Sequence, residues 1–160
     1  MIVEIGKLRT LPELERAITL AAICHVGQVD LMGTPYILHP LRVMGGVATY
    51  DEKVAAALHD LVEDTDITLL DLKDLGFKEE IVAAVDALTK RDDEKYMDYV
   101  KRATEDPIAI KVKLSDLIDN LGKTEELPDD EVKDKRRKKY TKALRFVEDA
   151  ISRSRKQGSY

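Results

Sequence analysis

Residues 57–68 read Ala57-Leu58-His59-Asp60-Leu61-Val62-Glu63-Asp64-Thr65-Asp66-Ile67-Thr68. On a helix turning about 100° per residue, Glu63 stands near 40°, Asp60 near 100° and Asp64 near 140° from His59. One imidazole and three carboxylates would then share a side, with Leu58, Leu61 and Val62 turned inward. No polar–apolar alternation of the kind a half-buried strand needs is present. The stretch reads as the end of a helix running from about Glu52 to Val62, and it points to an all-α chain.

The sequence on either side agrees. Thr10-Leu11-Pro12-Glu13 has capping-box spacing with Pro12 early in a helix. Leu14, Ala17, Ile18, Ala21, Ala22 and His25 follow the stripe of that helix. Gly27 to Pro35 reads as a loop, and a second helix is expected from Pro40. Thr68 and Asp71 repeat the capping box, Gly76 is a stop, and Ile81, Val82, Val85 and Leu88 form the next stripe. Asp106-Pro107 opens a helix expected to reach Leu121. A long helix over about 129–154 has Tyr140, Leu144, Val147 and Ile151 on one face. With no repeat, low-complexity tract or linker, residues 1–160 are expected to form one compact multi-helix bundle.

Hydrophobic residues make up 44% of the chain and charged residues 36%, the balance of a globular protein. A net charge of −5 disfavours nucleic acid as the partner. No apolar run approaches a bilayer span, and Met1 to Arg9 contains no long apolar core of a secretion signal. The single cysteine, Cys24, excludes an intramolecular disulfide and fits a reducing cytoplasm.

Three carboxylates and an imidazole this close repel or titrate upward unless a positive charge sits among them. A divalent metal supplies that charge; a solvated acidic face with a chance histidine is the competing reading. Two further segments favour the metal. His39 stands at the mouth of a helix in Pro35-Tyr36-Ile37-Leu38-His39-Pro40. Asp116 and Asn120 share a face in the otherwise apolar run IKVKLSDLIDN (110–120), where a buried acid needs a partner. Two imidazole nitrogens with two carboxylates suit Mn, Fe, Zn or Co better than Ca, and leave places for water and a phosphate oxygen on a six-coordinate ion.

The pattern His…His-Asp…Asp resembles that of the HD phosphohydrolases. GTPYILHPLRV (33–43), ALHDLVEDTDIT (57–68), VDALTK (85–90) and VKLSDLIDNL (112–121) are similar to the hydrolase domain of Rel/Spo-type alarmone enzymes, over roughly Leu14 to Gly122. The resemblance implies a manganese-dependent hydrolase that removes the 3′-pyrophosphate of (p)ppGpp. It implies metal ligands His39, His59, Asp60 and Asp116, with Glu63 and Asp64 handling the attacking water and the leaving group. Asn120 would sit beside the nucleotide sugar or phosphate, and Tyr36 and Thr89-Lys90 match the family pattern in the substrate region. A chain ending here would resemble the small hydrolase-only members.

The family usually has Arg-Lys where this chain has Asp30-Leu31, and Arg where Leu117 follows Asp116. Asp30 is therefore expected to read the base differently, by accepting from an amino group. An adenine alarmone, another phosphorylated nucleotide, a pyrophosphorylated RNA end, or a non-catalytic nucleotide-binding role are the alternatives. His25 reads as a packed or loop-bracing residue and Cys24 as a small core or surface residue. Lys133, Lys135, Arg136, Arg137, Lys138 and Lys139 read as a solvated helix face, with attraction of a polyphosphate as the second reading.

Overall fold

The computed structural model describes residues 5–156 and Gly158. Residues 1–4, part of the segment read for a secretion signal, and residues 157, 159 and 160 of the expected domain lie outside the described residues. A 3-10 helix, Ile5–Thr10, precedes α1 (Glu13–Cys24), α2 (Leu38–Gly45), α3 (Tyr50–Leu58), α4 (Leu61–Asp64) and α5 (Leu69–Asp74). There follow α6 (Glu79–Leu88), α7 (Tyr96–Ala103), α8 (Ala109–Glu125) and α9 (Asp130–Lys156). Among the described residues the fold is all-α, with a lone β-bridge between Val29 and Pro35 inside the 27–35 loop.

The centre of the bundle is α3, where Val54 to Leu58 are all buried. Five consecutive buried residues mean that this helix is covered on every side, which the small side chains Ala55, Ala56 and Ala57 permit. One apolar cluster gathers Leu20, Leu58, Leu61, Leu72, Ile81 and Leu88 around it. A second joins α7, α8 and α9 through Val100, Leu117, Tyr140 and Val147. Helix α8 feeds both clusters, with Val112 in the first and Leu117 in the second. It packs against α2 so closely that a side chain at Gly46 would overlap Ser115 Oγ. That hydroxyl donates to Val43 O at 2.9 Å, which pins the end of α2 to the middle of α8.

The Thr68–Asp71 capping box forms as expected, and Gly76 stops the segment at φ 80°. The Thr10 box does not form. Thr10 Oγ1 instead donates to Lys7 O in the preceding 3-10 helix, and the cap position of α1 is Pro12. Glu13 is used over a longer range, accepting the Lys78 N–H at 2.9 Å. Ala22 is exposed, whereas Leu20 and Arg16 are buried. Arg16 spends its guanidinium on the carbonyls of Leu8, Arg9, Leu11 and Leu75, so a charge occupies a position the apolar stripe passed over. Helix α2 begins two residues before Pro40, and α8 continues to Glu125, beyond Leu121. Helix α7 was not anticipated.

The expected helix over 52–62 is interrupted. Helix α3 ends at Leu58 and α4 begins at Leu61, with Asp60 at φ −101°, ψ −3°. The angular placement of the His59–Asp64 groups on one continuous helix therefore does not apply, and the break lies at the two residues that matter most.

Candidate functional site

Three segments bring the four expected ligands together: the first turn of α2 carries His39, the α3–α4 break carries His59 and Asp60, and α8 carries Asp116. His39 Nε2 lies 3.4 Å from Asp60 Oδ2 and 3.3 Å from Asp116 Oδ1. His59 Nε2 lies 3.0 Å from Asp60 Oδ2 and 3.9 Å from Asp116 Oδ1. His39, His59 and Asp60 each offer an atom within 4.8 Å of the others, a candidate metal centre, and Asp116 closes the group through both histidines.

Whether these residues fit a cation is decided at His59. Its Nδ1 lies 2.7 Å from Ala56 O, a hydrogen bond in which the ring nitrogen must be the donor. Its Nε2 is buried and lacks a hydrogen-bond partner among the described residues, although Asp60 Oδ2 is only 3.0 Å away. A ring nitrogen and a carboxylate oxygen at that separation, without hydrogen-bond geometry, form a donor set that fits a metal once any Nε2 proton is displaced.

Each donor is braced from behind. Tyr36 OH donates to Asp60 Oδ2, and Asn120 Nδ2 donates to Asp116 Oδ1. Lys113 Nζ donates to Asp116 Oδ2 at 2.7 Å and lies 3.1 Å from Tyr99 OH. Burial alone would lower the pKa of His39, but its contacts with Asp116, Asp119 and Asp60 push it up to about 12. Burial works against ionised Asp60, yet His59 and His39 hold its carboxyl well below the usual range. Without metal, imidazolium protons thus supply the positive charge that the carboxylates demand, and a divalent ion would displace them.

The chain is 36% identical over 121 residues to the guanosine-3′,5′-bis(diphosphate) 3′-pyrophosphohydrolase of Aquifex aeolicus, covering 68% of this chain and 17% of that protein. It is 36% identical over 89 residues to the bifunctional (p)ppGpp synthase/hydrolase SpoT of Escherichia coli, covering 53% of this chain and 12% of that protein. The solved structure of a metazoan SpoT ortholog, described as hydrolyzing ppGpp and acting in starvation responses, superposes with a TM-score of 0.70 at 25% identity. It covers 93% of this chain and 98% of its own. The chain belongs to the Rel/Spo-type HD hydrolase domains. It spans about a sixth or less of the two curated relatives. No family model matches it.

In this Rel/Spo-type domain the candidate centre lies in a cleft of about 620 Å³. Glu63 and Asp64, just beyond the helix break, line the cleft. Glu63 Oε2 accepts the Lys90 N–H at 3.0 Å. Burial, with Asp60 and Asp64 nearby, raises the Glu63 pKa. Burial, with Asp60 nearby, raises that of Asp64. Asn120, Tyr36, Asp30 and Lys90 also line the cleft. The polar tips of Tyr36 and Asn120 are spent on Asp60 and Asp116, and Lys90 Nζ donates to Arg91 O.

Asp30, expected to read the base, lines the cleft and also shapes its own loop. Its Oδ1 accepts the N–H groups of Met32 and Thr34, at 2.8 and 2.9 Å, so it builds the loop. That loop presents Val29, Leu31 and Met32 to the cleft, all substantially exposed. His25 braces the same loop through a 2.7 Å contact between Nδ1 and Gln28 Oε1, and the Gln28 amide donates to Asp64 O.

Several residues of the cleft escaped the sequence reading. Lys113 and Asp119 lie within the segment that carries Asp116, three residues to either side, so helical spacing alone could have nominated them. Of the basic run, Arg136 and Lys139 line the cleft, Lys139 from an exposed position. Arg136 is one turn before buried Tyr140, and Lys139 Nζ lies 4.5 Å from the Tyr140 ring centroid and 4.7 Å from that of Tyr96. The remainder of the run includes Arg137, paired with Glu125 and Asp134.

Proposed function

We propose that this chain is one metal-dependent phosphohydrolase domain that removes the 3′-pyrophosphate of (p)ppGpp-like alarmone nucleotides. The observation that carries the reading is the buried, unpartnered His59 Nε2 facing Asp60, which itself lines a cleft walled by Lys90, Arg136 and Lys139. His39, His59, Asp60 and Asp116 would hold a divalent ion, with Mn²⁺ suited to a mixed imidazole–carboxylate set. Such an ion, when bound, acidifies water and polarises a phosphoryl oxygen.

The chain's own residues do the rest. Glu63 and Asp64 orient the attacking water and one of them takes its proton, a task suited to carboxylates whose pKa is raised. The water oxygen bonds to the 3′-linked phosphorus, the bond from that phosphorus to the ribose 3′-oxygen breaks, and the 3′-oxygen receives the proton that the carboxyl took from the water. The products are guanosine 5′-diphosphate or 5′-triphosphate and pyrophosphate. The cationic wall binds the remaining phosphates, and Leu31 and Met32 offer an apolar surface to the base.

The apolar loop favours one further reading, a related nucleotide with another base, because Leu31 carries no cation and Asp30 offers an acceptor in place of a cation, with its Oδ1 already committed to the loop backbone. A panel of guanosine and adenosine 3′-pyrophosphates, 2′- and 5′-phosphates and pyrophosphorylated RNA ends, assayed for released phosphate and pyrophosphate with Mn²⁺ and with chelator, tests both. Release of pyrophosphate from 3′-pyrophosphates alone, abolished by chelator, is expected. Turnover confined to another class would replace the alarmone reading.

A further inference from the structure

Two pairs of residues, each three apart on its helix, face one another across the α2–α8 contact: His39 with Arg42, and Asp116 with Asp119. Helix α8 thereby grips both nitrogens of one ring. Asp116 Oδ1 is 3.3 Å from His39 Nε2, and Asp119 Oδ2 is 2.7 Å from His39 Nδ1. Asp119 is itself held by a fork: Arg42 Nε donates to Oδ1 at 2.6 Å and Arg42 Nη2 to Oδ2 at 2.9 Å. We infer that Asp119, clamped by Arg42, is a positioning residue of the metal centre, keeping His39 protonated at Nδ1 so that Nε2, which points into the cluster, is the nitrogen left to a metal once its own proton is displaced.

The inference rests on the metal reading above and adds to it a reason for the Arg42–Asp119 pair. An ionised carboxylate can only accept, so the His39–Asp119 hydrogen bond requires the proton on Nδ1. It also makes the ring a stronger donor toward a cation. Arg42 occupies both Asp119 oxygens in the planar arrangement that guanidinium and carboxylate share, which fixes the ring's plane as well as its tautomer. His59 reaches the same state by another route, using Ala56 O. The two histidines are thus set by separate braces, one a carboxylate and one a backbone carbonyl, and only the first can be removed by mutation.

The test is Mn²⁺ affinity, titrated on the purified full chain, with the thermal midpoint of the metal-free protein as a control. Asp119→Ala is expected to weaken Mn²⁺ binding by about 10–100-fold. Asp119→Asn retains an oxygen acceptor but not the charge, and is expected to recover part of that loss. Arg42→Met, which leaves the His39–Asp119 contact in place, is expected to cost less than Asp119→Ala. Wild-type affinity in a folded Asp119→Ala protein, with only its thermal midpoint lowered, would reduce the pair to a cross-link between helices and overturn the inference. If Asp119→Ala does not fold, wild-type affinity in Asp119→Asn together with Arg42→Met has the same force. Absence of Mn²⁺ binding in the wild type would instead refute the metal reading itself, and this inference with it.

Discussion

Lys113 Nζ and Asp116 Oδ2 lie 2.7 Å apart, one turn from each other on α8, with side chains only 6% and 8% exposed. A buried ammonium beside a candidate metal ligand holds one carboxylate oxygen, while the other, Oδ1, accepts from Asn120 and faces the histidines. Burial acts to deprotonate Lys113, and Asp116, Tyr99 and Tyr96 outweigh it, so the pair stays ionised. Removing one member leaves an uncompensated buried charge. Lys113→Met is expected to destabilise the metal-free protein by about 3 kcal/mol, the lower end for a broken buried pair, because His39 and His59 still face Asp116. Urea unfolding with and without Mn²⁺ checks this. The loss should shrink when the ion supplies the missing charge, and an equal loss in both conditions would count against Asp116 as a ligand.

Binding and chemistry separate at Glu63 and Asp64. Both line the cleft but lie outside the cluster of His39, His59 and Asp60. Glu63→Gln or Asp64→Asn should retain Mn²⁺ and lower kcat by about 10²-fold or more, the scale for a positioned acid or base. Loss of the ion in either variant would place that residue among the ligands.

The site was legible to the extent that polar residues stood out against apolar surroundings. Asp116 stood out because an acid inside an apolar run demands a partner, and His59 and Asp60 because they crowd with Glu63 and Asp64; their grouping with His39 as ligands came from the resemblance to the HD phosphohydrolases. The all-helical fold followed from stripes such as Ile81, Val82, Val85 and Leu88, every one of which is buried. The break at His59–Asp60 was hidden, because nothing between Glu52 and Val62 is a helix breaker: tertiary packing and the His59–Ala56 hydrogen bond interrupt a sequence whose local preference is helical. Helix α7 was hidden for a related reason. Its polar Lys95 cap gives no side-chain hydrogen bond, and its short face of Tyr99, Val100 and Ala103 becomes apolar surface only against α8 and α9. Contacts across α2 and α8, such as Arg42 with Asp119, have no local signature at all.

The apolar loop beside the cleft should govern substrate affinity rather than turnover. Leu31 and Met32 are 66% and 44% exposed and line the cleft, an arrangement that leaves apolar surface in water until a ligand covers it. Leu31→Ala with Met32→Ala should raise KM several-fold and leave kcat within about twofold, the pattern of interactions made equally in ground and transition states. Asp30→Ala should do more, because it frees two backbone N–H groups and unravels the loop. Steady-state kinetics on the three variants, with an unchanged KM in the double variant as the contrary result, decides whether the loop touches the substrate.

A pH dependence is expected from Glu94. Its two oxygens accept from Arg102, whose other donors reach the carbonyls of Asp86, Ala87 and Thr89 and so close the end of α6 above Lys90. That pairing with Arg102 lowers the Glu94 pKa to about 2. A carboxylate whose folded pKa lies below its unfolded value stabilises above the unfolded pKa, and the contribution is lost as pH falls through the folded one. The Glu94 contribution should therefore be whole at neutral pH and decline between an ordinary glutamate pKa and about 2. Glu94→Gln should be less stable than wild type at neutral pH, with the two converging under acid. Parallel stability profiles over that range would show that the pair contributes nothing.

The central claim is that His39, His59, Asp60 and Asp116 hold one divalent ion, although they come from three separate segments. Anomalous diffraction at the manganese edge, from crystals of the full chain grown with Mn²⁺, tests it most directly. The account predicts a single strong peak at coordination distance from Nε2 of both histidines and from a carboxylate oxygen of Asp60 and of Asp116. A cluster with no peak, or an ion bound elsewhere in a protein that still hydrolyses its nucleotide, would contradict it.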